Sequence, residues 1–473
     1  MASGMFLETV RSPGLSHLSY IIGHQGRAAV IDPRRDCDIY VDMANRRGAR
    51  IDYIFETHRN EDYVIGSKDL ARMTGADIYH GSRMDFEYGH SVSDGDTFDL
   101  GDLRLKILET PGHTFESISI AVIDAGFGED AAGVFTGDAL FVGDVGRTDF
   151  FPDQAEEVAG LLYDSIFKKI LPLGDQVILY PSHGAGSVCG DGAGSVCGEG
   201  MAEREFSTLG MEKRYNPALQ KKNREDFIRF KLNEQHDMPP YFRRMEEFNQ
   251  EGSAPSIGHL SIPKPLTASW FNDLVDSGAV ILDVRSPEAI GGALIPGSLG
   301  IPLAMVTAFA GWFLPYDRDL LLVVDAYDEV ETAFRHLTRI GYDRVAGFLD
   351  DGLHAWEVSG RDYQSIPTVH TRELVRRINR KEDFTLLDVR KKKEFQQARL
   401  PGALHVYVGE LPDNLDKVPK DKDTVTFCGS GQRAVIAATI LKNAGHENVA
   451  NCLGSMAACS AVGCPVIEGG QKS

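Results

Sequence analysis

Three apolar segments in the first half of the chain each lead into a side chain that can bind a metal ion. His58, His113 and Asp138 follow these segments closely. The segments, which we expect to be buried strands, are 51–55, 103–108 and 133–135. Loops at the ends of rigid strands can present side chains to ligands. Two imidazoles and one carboxylate on one face of a metal leave the opposite face open for a substrate and dioxygen. The pattern therefore predicts one iron(II) ion per chain, with zinc as the alternative because zinc accepts the same ligands.

The bulk composition is that of a globular protein with several domains. The chain has 473 residues, which corresponds to roughly three domains of about 150 residues each. It has no apolar run long enough to span a membrane and no N-terminal signal pattern. Seven cysteines are too few and odd in number for a disulfide framework, which favours a reducing, cytoplasmic location. The formal charge of −20 argues against a nucleic-acid partner, which it would repel.

Strands alternate with helical patterns across residues 1–250, which favours a layered sandwich with helices outside. Four motifs occur there in order: Thr57-His58-Arg59-Asn60-Glu61-Asp62-Tyr63, Pro111-Gly112-His113-Thr114, Thr136-Gly137-Asp138 and Pro181-Ser182-His183. Together they resemble the metallo-β-lactamase superfamily, whose signature is T-H-x-H-x-D-H. The resemblance implies an αββα sandwich that binds metal through His58, His113 and Asp138.

Two positions depart from that signature. Asn60 and Tyr63 stand where the superfamily has histidines, and an amide and a phenol are poor ligands for zinc or iron(II). A second metal site would keep only Asp62 and His183. The loss favours a resemblance to the persulfide dioxygenases, which use one iron, over the binuclear zinc thioesterases of the glyoxalase II type. We expect these four residues to form hydrogen bonds around the metal ligands, or else to remain from an abandoned site.

Arg147 is a candidate substrate contact. The stretch Gly146-Arg147-Thr148-Asp149-Phe150 resembles the part of the dioxygenases that helps to hold the thiol substrate. A guanidinium suits the carboxylates of a glutathione-like thiol or a phosphate of coenzyme A. A metal-free relative that has lost its activity is the alternative interpretation of this half of the chain.

A short sequence is duplicated after His183. Residues 184–190 and 192–198 both read Gly-Ala-Gly-Ser-Val-Cys-Gly. We interpret the duplication as a tolerated loop insertion. The alternative is that Cys189 or Cys197 contacts the substrate.

The second half of the chain contains an internal repeat. Residues 251–264 have the composition of a linker, and Leu-Asp-Val-Arg occurs at 282–285 and again at 387–390. In both copies a proline-glycine pair follows, and then a buried strand, a loop and a helix. The pattern resembles the rhodanese family of sulfurtransferases. It implies two α/β domains with parallel sheets, at 265–363 and 364–473.

Cys428 is the expected sulfur carrier of the second copy. It opens the loop Cys428-Gly429-Ser430-Gly431-Gln432-Arg433, as the nucleophile does in rhodaneses. Gly429 and Gly431 let backbone N–H groups converge on the sulfur, and the following helix adds positive potential, so the thiolate is stabilised. Arg433 adds a fixed positive charge that suits a thiosulfate or sulfite oxyanion.

The first copy is expected to be catalytically silent. Asp325 holds the position of the nucleophile, and a carboxylate cannot form a persulfide. We interpret Cys452, Cys459 and Cys464 as packing residues, and a resolving thiol for Cys428 as the alternative.

The resemblance as a whole implies a persulfide dioxygenase fused to tandem rhodanese domains, an enzyme of sulfide detoxification. Its partners would be a small persulfide (of glutathione, coenzyme A or a similar thiol), dioxygen, and sulfite or thiosulfate, and a homo-oligomer is left open. One alternative is a zinc-dependent thioester hydrolase with a rhodanese sulfur carrier. Another is a non-enzymatic sulfur carrier in which Cys428 alone reacts.

Overall fold

The computed structural model describes residues 4–184, 206–234, 236–259 and 261–469, and these fall into two compact units. The first unit comprises the described residues up to 259 together with 338–341. The second comprises the described residues 261–337 and 342–469. The duplicated loop with Cys189 and Cys197 lies outside the described residues.

The first unit is built on two six-stranded sheets. The strands of the first sheet, in spatial order, are β1 (Phe6–Ser12), β2 (His17–His24), β3 (Arg27–Ile31), β4 (Arg50–Phe55), β5 (Asp77–Gly81) and β6 (His90–Val92). Those of the second, given in chain order, are β7 (Thr97–Leu100), β8 (Leu103–Glu109), β9 (Ile118–Asp124), β10 (Ala131–Gly137), β11 (Ile178–Pro181) and β12 (Ser207–Thr208). Its α-helices are α1 (Asp38–Arg47), α2 (Ser67–Thr74), α3 (Ala155–Ser165), α4 (Leu209–Tyr215), α5 (Arg224–Leu232) and α6 (Phe242–Glu251).

Alternating side chains explain how the two sheets stack. Successive residues of a strand point to opposite faces, so Tyr20 and Ile22 of β2 join one apolar cluster and Ile21 joins another. The first cluster also takes residues of β8 and β9, so it lies between the sheets. The second is shared with α1 and α2. A third cluster joins β10 and β11 to α3 and α5. Three apolar layers between four layers of structure give the expected αββα sandwich.

The second unit contains two five-stranded parallel sheets, one for each repeat. The first repeat contains β13 (Lys264–Leu266), α7 (Ala268–Asp276), β14 (Val280–Asp283), α8 (Pro287–Gly292), β15 (Leu299–Gly300), α9 (Val306–Phe313), β16 (Leu320–Val323), α10 (Tyr327–Arg339), β17 (Val345–Leu349) and α11 (Gly352–Val358). The second contains β18 (Thr368–His370), α12 (Thr371–Asn379), β19 (Thr385–Asp388), α13 (Lys392–Gln397), β20 (Ala398–Arg399), β21 (Leu404–His405), β22 (Thr424–Phe427), α14 (Gln432–Asn443), β23 (Val449–Leu453), α15 (Ser455–Val462) and β24 (Ile467–Glu468).

The two repeats share their strand order and a buried ion pair. Both sheets follow the same sequence of strands, β13-β17-β16-β14-β15 and β18-β23-β22-β19-β21. In the first repeat Arg285 donates from Nε and from one terminal nitrogen to Asp283, at 2.9 and 2.6 Å. Arg390 and Asp388 repeat this contact at the same distances. The Leu-Asp-Val-Arg motif therefore encodes a local ion pair at the ends of β14 and β19, and the expectation of two parallel α/β domains is confirmed.

Among the described residues, none of the helices combines the length and the hydrophobicity that a membrane span requires.

Candidate metal centre and sulfur-transfer site

The three expected metal ligands converge in the first unit. His58 follows β4, His113 follows β8 and Asp138 follows β10. Oδ2 of Asp138 lies 3.8 Å from Nε2 of His58 and 3.6 Å from Nε2 of His113. All three side chains are buried. Three residues that span 80 positions of the sequence thus share one small site at the ends of three strands.

Neighbouring groups decide which nitrogen of each imidazole faces the site. The hydroxyl of Thr57 donates to Asp32, so it accepts a hydrogen bond from Nδ1 of His58 at 2.9 Å. Nδ1 of His113 lies 3.1 Å from the carbonyl oxygen of Arg147, which can only accept. Both imidazoles therefore carry a proton on Nδ1 and turn Nε2 towards the site. With a metal bound at Nε2, this is the tautomer that a ligand needs.

The atoms that face the site lack protein partners. Nε2 of His58, Nε2 of His113 and Oδ2 of Asp138 are buried and have no hydrogen-bond partner. A buried polar atom without a partner costs about 1–3 kcal/mol, and three of them meet here. A bound divalent cation removes this cost, and two imidazoles and a carboxylate are ligands that iron(II) and zinc accept. The residues present therefore fit a metal ion.

Asp32 ties together the loops that carry the site. It follows β3, and its carboxylate accepts hydrogen bonds from the N–H and the hydroxyl of Thr57 and from the hydroxyl of Ser182, each at 2.7 Å. Burial raises the pKa of Asp32 above its ordinary value. Gly137 closes the arrangement, because its φ is +53° and an added Cβ would lie 2.5 Å from the Thr57 hydroxyl oxygen. The loops of His58 and Asp138 are therefore held in fixed register.

The side chains that remain from a second metal site form hydrogen bonds with one another. Nδ1 of His183 lies 2.8 Å from Oδ1 of Asp138, and Nε2 of His183 lies 2.8 Å from Oδ2 of Asp62. Burial alone would lower the pKa of His183, but the two carboxylates outweigh it and raise the pKa well above its ordinary value. The chain from Asp62 through His183 to Asp138 thus orients Asp138, as expected for residues around a metal ligand.

Asn60 and Tyr63 support the backbone of the same loop. Asn60 has a left-handed conformation, with φ of 53°, and its amide donates to the carbonyl oxygen of His58 at 2.9 Å. The ring of Tyr63 packs on His17, with 4.1 Å between ring centroids. Neither side chain replaces the metal-binding imidazole of its lost histidine. Asn60 holds the loop that presents His58, and Tyr63 packs on His17 of β2.

Arg147 has protein partners on all three guanidinium nitrogens. Nε and one terminal nitrogen donate to Asp149 at 2.7 Å each, and the other donates to the carbonyl oxygen of Asp237 at 3.1 Å. Its ring neighbour is Phe150, at 4.7 Å from the guanidinium carbon. In this structure Arg147 acts on the site through its carbonyl oxygen, which orients His113. Its predicted contact with substrate stays a prediction.

Two functional residues were missed by the sequence analysis. Glu61 lies with His58 and His113 in a buried group whose ligand atoms are all within 4.8 Å of one another. Asn249 of α6 accepts from the N–H of Ile65 and donates to the carbonyl oxygens of Asn60 and Tyr63. Glu61 lies inside the recognised motif, at a position that the superfamily signature leaves variable. Asn249 had no signal in the sequence, because its partners are more than 180 positions away.

Replacing Asn249 by alanine should lower the free energy of unfolding by about 2–4 kcal/mol, because it leaves three buried backbone groups without partners. Urea-induced unfolding measures the change. Asn272→Ala is the matched control, because Asn272 makes only an exposed side-chain contact, with Asp276; its cost should stay within about 0.5 kcal/mol. Equal losses in the two variants would contradict the role of Asn249.

Cys428 occupies the expected position in the second repeat. It is buried, between β22 and α14, and its Sγ accepts a hydrogen bond from the N–H of Gly431 at 3.0 Å. Gly431 has φ of +113°, a conformation that favours glycine. Gly429 contributes differently, since its carbonyl oxygen accepts from the N–H of Ala457 at 2.7 Å. The backbone thus holds the sulfur at the N-terminus of a twelve-residue helix, where a thiolate is favoured.

Arg433 forms a bidentate ion pair with Glu394. Its terminal nitrogens donate to the two oxygens of Glu394 at 2.7 and 2.9 Å. Burial opposes ionisation of Glu394, but Arg433 outweighs it and holds the pKa of Glu394 below its ordinary value. In this structure the pair fixes α13 against the first turn of α14. The predicted contact of Arg433 with an oxyanion stays a prediction.

In the equivalent loop of the first repeat, the side chain of Glu329 accepts the backbone N–H groups. The N–H groups of Asp325 and Ala326 both donate to Glu329, at 3.0 and 3.2 Å. Only Ala326 separates Asp325 from α10, whereas three residues separate Cys428 from α14. The shorter loop has no glycine, and its N–H groups are used by Glu329. These contacts support the expectation that the first repeat is silent.

A cysteine at position 325 should therefore not create a second sulfur carrier. We expect Asp325→Cys, made together with Cys428→Ser, to have no thiosulfate sulfurtransferase activity above that of Cys428→Ser alone. The formation of thiocyanate from thiosulfate and cyanide is the measurement. Activity that rises with the new cysteine would show that the loop of the first repeat can still hold a reactive sulfur.

The cysteines of the second repeat pack as expected, since Cys452 and Cys459 belong to its apolar cluster and Cys464 packs against that cluster. The sequence analysis did not predict that Cys459 and Cys464 also form a disulfide. They are five positions apart, and the left-handed Gly463 (φ 69°) turns the chain so that their Cα atoms lie 4.8 Å apart. The sequence alone did not reveal this turn. Cys452 stays a buried thiol, and burial raises its pKa to about 11. It is therefore protonated at neutral pH, which disfavours a role as resolving thiol.

Known families match most of the chain. Residues 12–183 match the model of the Metallo-beta-lactamase superfamily, and residues 267–359 and 370–461 each match that of the Rhodanese-like domain. Hydroxyacylglutathione hydrolase GloC of Haemophilus influenzae is 27% identical over 43% of this chain and 93% of that protein. Persulfide dioxygenase ETHE1, mitochondrial, of Bos taurus is 29% identical over 38% of this chain and 68% of that protein. The chain spans about half the length of several other curated relatives.

A solved structure extends the likeness beyond one domain. The crystal structure of a metallo-beta-lactamase from Staphylococcus aureus subsp. aureus COL is 33% identical, with a TM-score of 0.63. The match covers 73% of this chain and 99% of that one. The chain belongs to the metallo-beta-lactamase superfamily and carries, after its metallo-beta-lactamase domain, two rhodanese-like domains.

Proposed function

We propose that the protein is an iron(II)-dependent persulfide dioxygenase that also transfers sulfur through Cys428. One observation carries the proposal. The metal-facing atoms of His58, His113 and Asp138 are buried and make no hydrogen bond that meets geometric criteria, whereas His183, one of the two ligands that remain from a second site, is hydrogen-bonded to carboxylates on both sides. A centre for one metal suits oxygen chemistry better than the two-metal hydrolysis of related thioesterases. The likeness to the bovine persulfide dioxygenase supports the same reaction.

His58, His113 and Asp138 would hold one iron(II) ion. When bound, iron(II) would supply the positions at which a persulfide sulfur and dioxygen meet. The chain's own residues prepare that chemistry before substrate arrives. Thr57 and the carbonyl oxygen of Arg147 hold both imidazoles in the tautomer with a free Nε2. The Asp62–His183 pair holds Asp138 in position. Fixed ligands cost little reorganisation during the reaction.

The proposed reaction consumes one dioxygen for each persulfide. A thiol persulfide, dioxygen and water give the free thiol and sulfurous acid, so that RSSH + O2 + H2O becomes RSH + H2SO3. The terminal sulfur is oxidised and dioxygen is reduced. Glutathione or coenzyme A persulfide fits the chemistry, and Arg147 is kept as the candidate contact for an anionic group of the thiol. We also keep the predicted cytoplasmic location, and the oligomeric state is left open.

Cys428 would carry the second reaction. Its thiolate takes the outer sulfur of a persulfide and releases the thiol, and sulfite then takes that sulfur from Cys428 to give thiosulfate. The same steps run in reverse would supply persulfide from thiosulfate. We propose that the segments 1–250, 251–264, 265–363 and 364–473 are the dioxygenase domain, a linker, the silent rhodanese domain and the active one. Joining both sites in one chain raises the local concentration of a labile intermediate.

Stoichiometry tests the proposal. Iron-loaded protein given glutathione persulfide should consume one dioxygen for each sulfite formed, counting the sulfite that appears as thiosulfate. It should release one thiol for each dioxygen consumed and one more for each thiosulfate formed. Dioxygen consumed without sulfite or thiosulfate would contradict the proposal, because iron can oxidise thiols without a specific site.

A zinc-dependent thioester hydrolase is the second candidate. The likeness to the hydroxyacylglutathione hydrolase of Haemophilus influenzae, over nearly the whole of that protein, favours it. The replaced ligands at positions 60 and 63 oppose it, because two-metal hydrolysis needs the second site.

A further inference from the structure

Glu61 lies against both histidines of the metal centre. Its side chain is buried, and its two oxygens face different imidazoles. Oε1 lies 3.2 Å from Nε2 of His113, and Oε2 lies 4.0 Å from Nε2 of His58. Asp138 approaches the same two nitrogens with its Oδ2, at 3.6 and 3.8 Å. Two carboxylates therefore face the site together with two imidazoles.

The atoms that meet here are two imidazole nitrogens and the oxygens of two carboxylates. Nδ1 of each imidazole donates to a neighbouring group, so Nε2 is the nitrogen that faces the carboxylates. A carboxylate has only acceptor oxygens when ionised. A lone pair of a nitrogen and an oxygen of a carboxylate repel each other unless a positive charge lies between them. A proton on Nε2 of His113 can supply that charge towards Glu61, at 3.2 Å. A divalent cation among Glu61, Asp138 and the two histidines can supply it towards all four groups.

We propose that Glu61 is a fourth protein ligand of the metal, so that two imidazoles and two carboxylates hold it. The inference rests on the proposed function for the presence of a metal at this centre, and it adds a ligand that lies one position from the lost histidine at Asn60.

The fourth ligand has two chemical consequences. Two carboxylates balance the charge of a divalent ion before an anionic sulfur substrate binds. The number of free coordination positions also depends on which metal is bound. Four protein ligands complete the four-coordinate sphere that zinc usually adopts, whereas a six-coordinate iron keeps two positions for substrate and dioxygen. With Glu61 bound, a zinc ion would have no free position for hydrolysis, whereas an iron ion would keep positions for oxidation of the substrate by dioxygen.

The test is metal binding by Glu61→Gln, which keeps the size of the side chain and removes its charge. Glu116→Gln is the matched control, because Glu116 is equally buried but its carboxylate accepts from the N–H of Arg59. Competition with a chelator measures the iron(II) affinity, and X-ray absorption measures the number of oxygen and nitrogen neighbours. Loss of groups that only support a metal ligand already costs about 10–100-fold in affinity. We therefore expect Glu61→Gln to bind iron at least about 10-fold more weakly, with the control within about twofold of the wild type.

A crystal structure of the metal-loaded wild type gives a second measurement that needs no variant. An oxygen of Glu61 at about 2.0–2.2 Å from the metal is expected of a ligand. Glu61 outside that distance, unchanged iron affinity in Glu61→Gln, or a wild type that binds no metal would overturn the inference. Iron binding that depends on Glu61, without any uptake of oxygen, would uphold it and refute the dioxygenase function instead.

Discussion

Replacing His113 by alanine should abolish persulfide-dependent oxygen uptake and leave thiosulfate sulfurtransferase activity intact. His113 presents a lone pair to the metal site, and its loss removes one of the two imidazole ligands. We expect iron to fall from one ion per chain towards none, and oxygen uptake to fall by more than about 100-fold, because weaker changes around metal ligands already cost that much. An oxygen electrode and metal analysis of the same sample measure both effects.

His80→Ala is the control for His113→Ala. His80 is also a buried histidine of the first unit, but its Nε2 lies 2.7 Å from the carbonyl oxygen of Tyr88, away from the proposed ligands. This variant should keep its iron and most of its oxygen uptake. If His113→Ala still binds one iron and consumes oxygen at the wild-type rate, the metal centre lies elsewhere. If both variants lose activity and iron together, the effect is one of folding.

Replacing Cys428 by serine should have the opposite result. Thiosulfate sulfurtransferase activity should fall by at least about 1000-fold, because the hydroxyl of serine does not form a persulfide and removal of a covalent nucleophile is among the largest effects of a substitution. Oxygen uptake with glutathione persulfide should stay within about twofold of the wild type. The product should shift from thiosulfate to sulfite, since sulfite is no longer consumed at Cys428.

Cys452→Ser is the matched control, because Cys452 is the other buried free thiol of the second repeat. It should keep sulfurtransferase activity, since its raised pKa leaves it protonated at neutral pH. Equal losses in the two variants would give Cys452 a part in the transfer. Thiosulfate formed by Cys428→Ser at the wild-type rate would show that sulfite and persulfide react without the rhodanese-like domain.

The sequence was most informative where a family motif or an internal repeat marks the residues. The motifs placed His58, His113 and Asp138 at strand ends, and the structure brings them together. The repeated Leu-Asp-Val-Arg motif predicted two equivalent repeats. The structure gives each of them the same Asp–Arg ion pair, whose two residues lie within one short segment.

Partners that are distant in the chain could not be predicted. The ion pair between Arg433 and Glu394 was not expected, because Glu394 lies 39 positions earlier on another helix. Asn249 supports the loop of His58 from the other end of the first unit. Glu61 was passed over for another reason, since a resemblance draws attention to the positions that a family signature names. Which side chain fills a vacated position depends on packing that the signature does not describe.

The most direct test of the central claim compares two metals in one protein. The wild type is prepared with iron(II) and, separately, with zinc, and each form is given glutathione persulfide and a glutathione thioester. We expect rapid oxygen uptake with sulfite and thiosulfate from the iron form, and no thioester hydrolysis above background from the zinc form. Thioester hydrolysis by the zinc form, with no oxygen uptake by the iron form, would refute the dioxygenase function and assign the protein to the hydrolases.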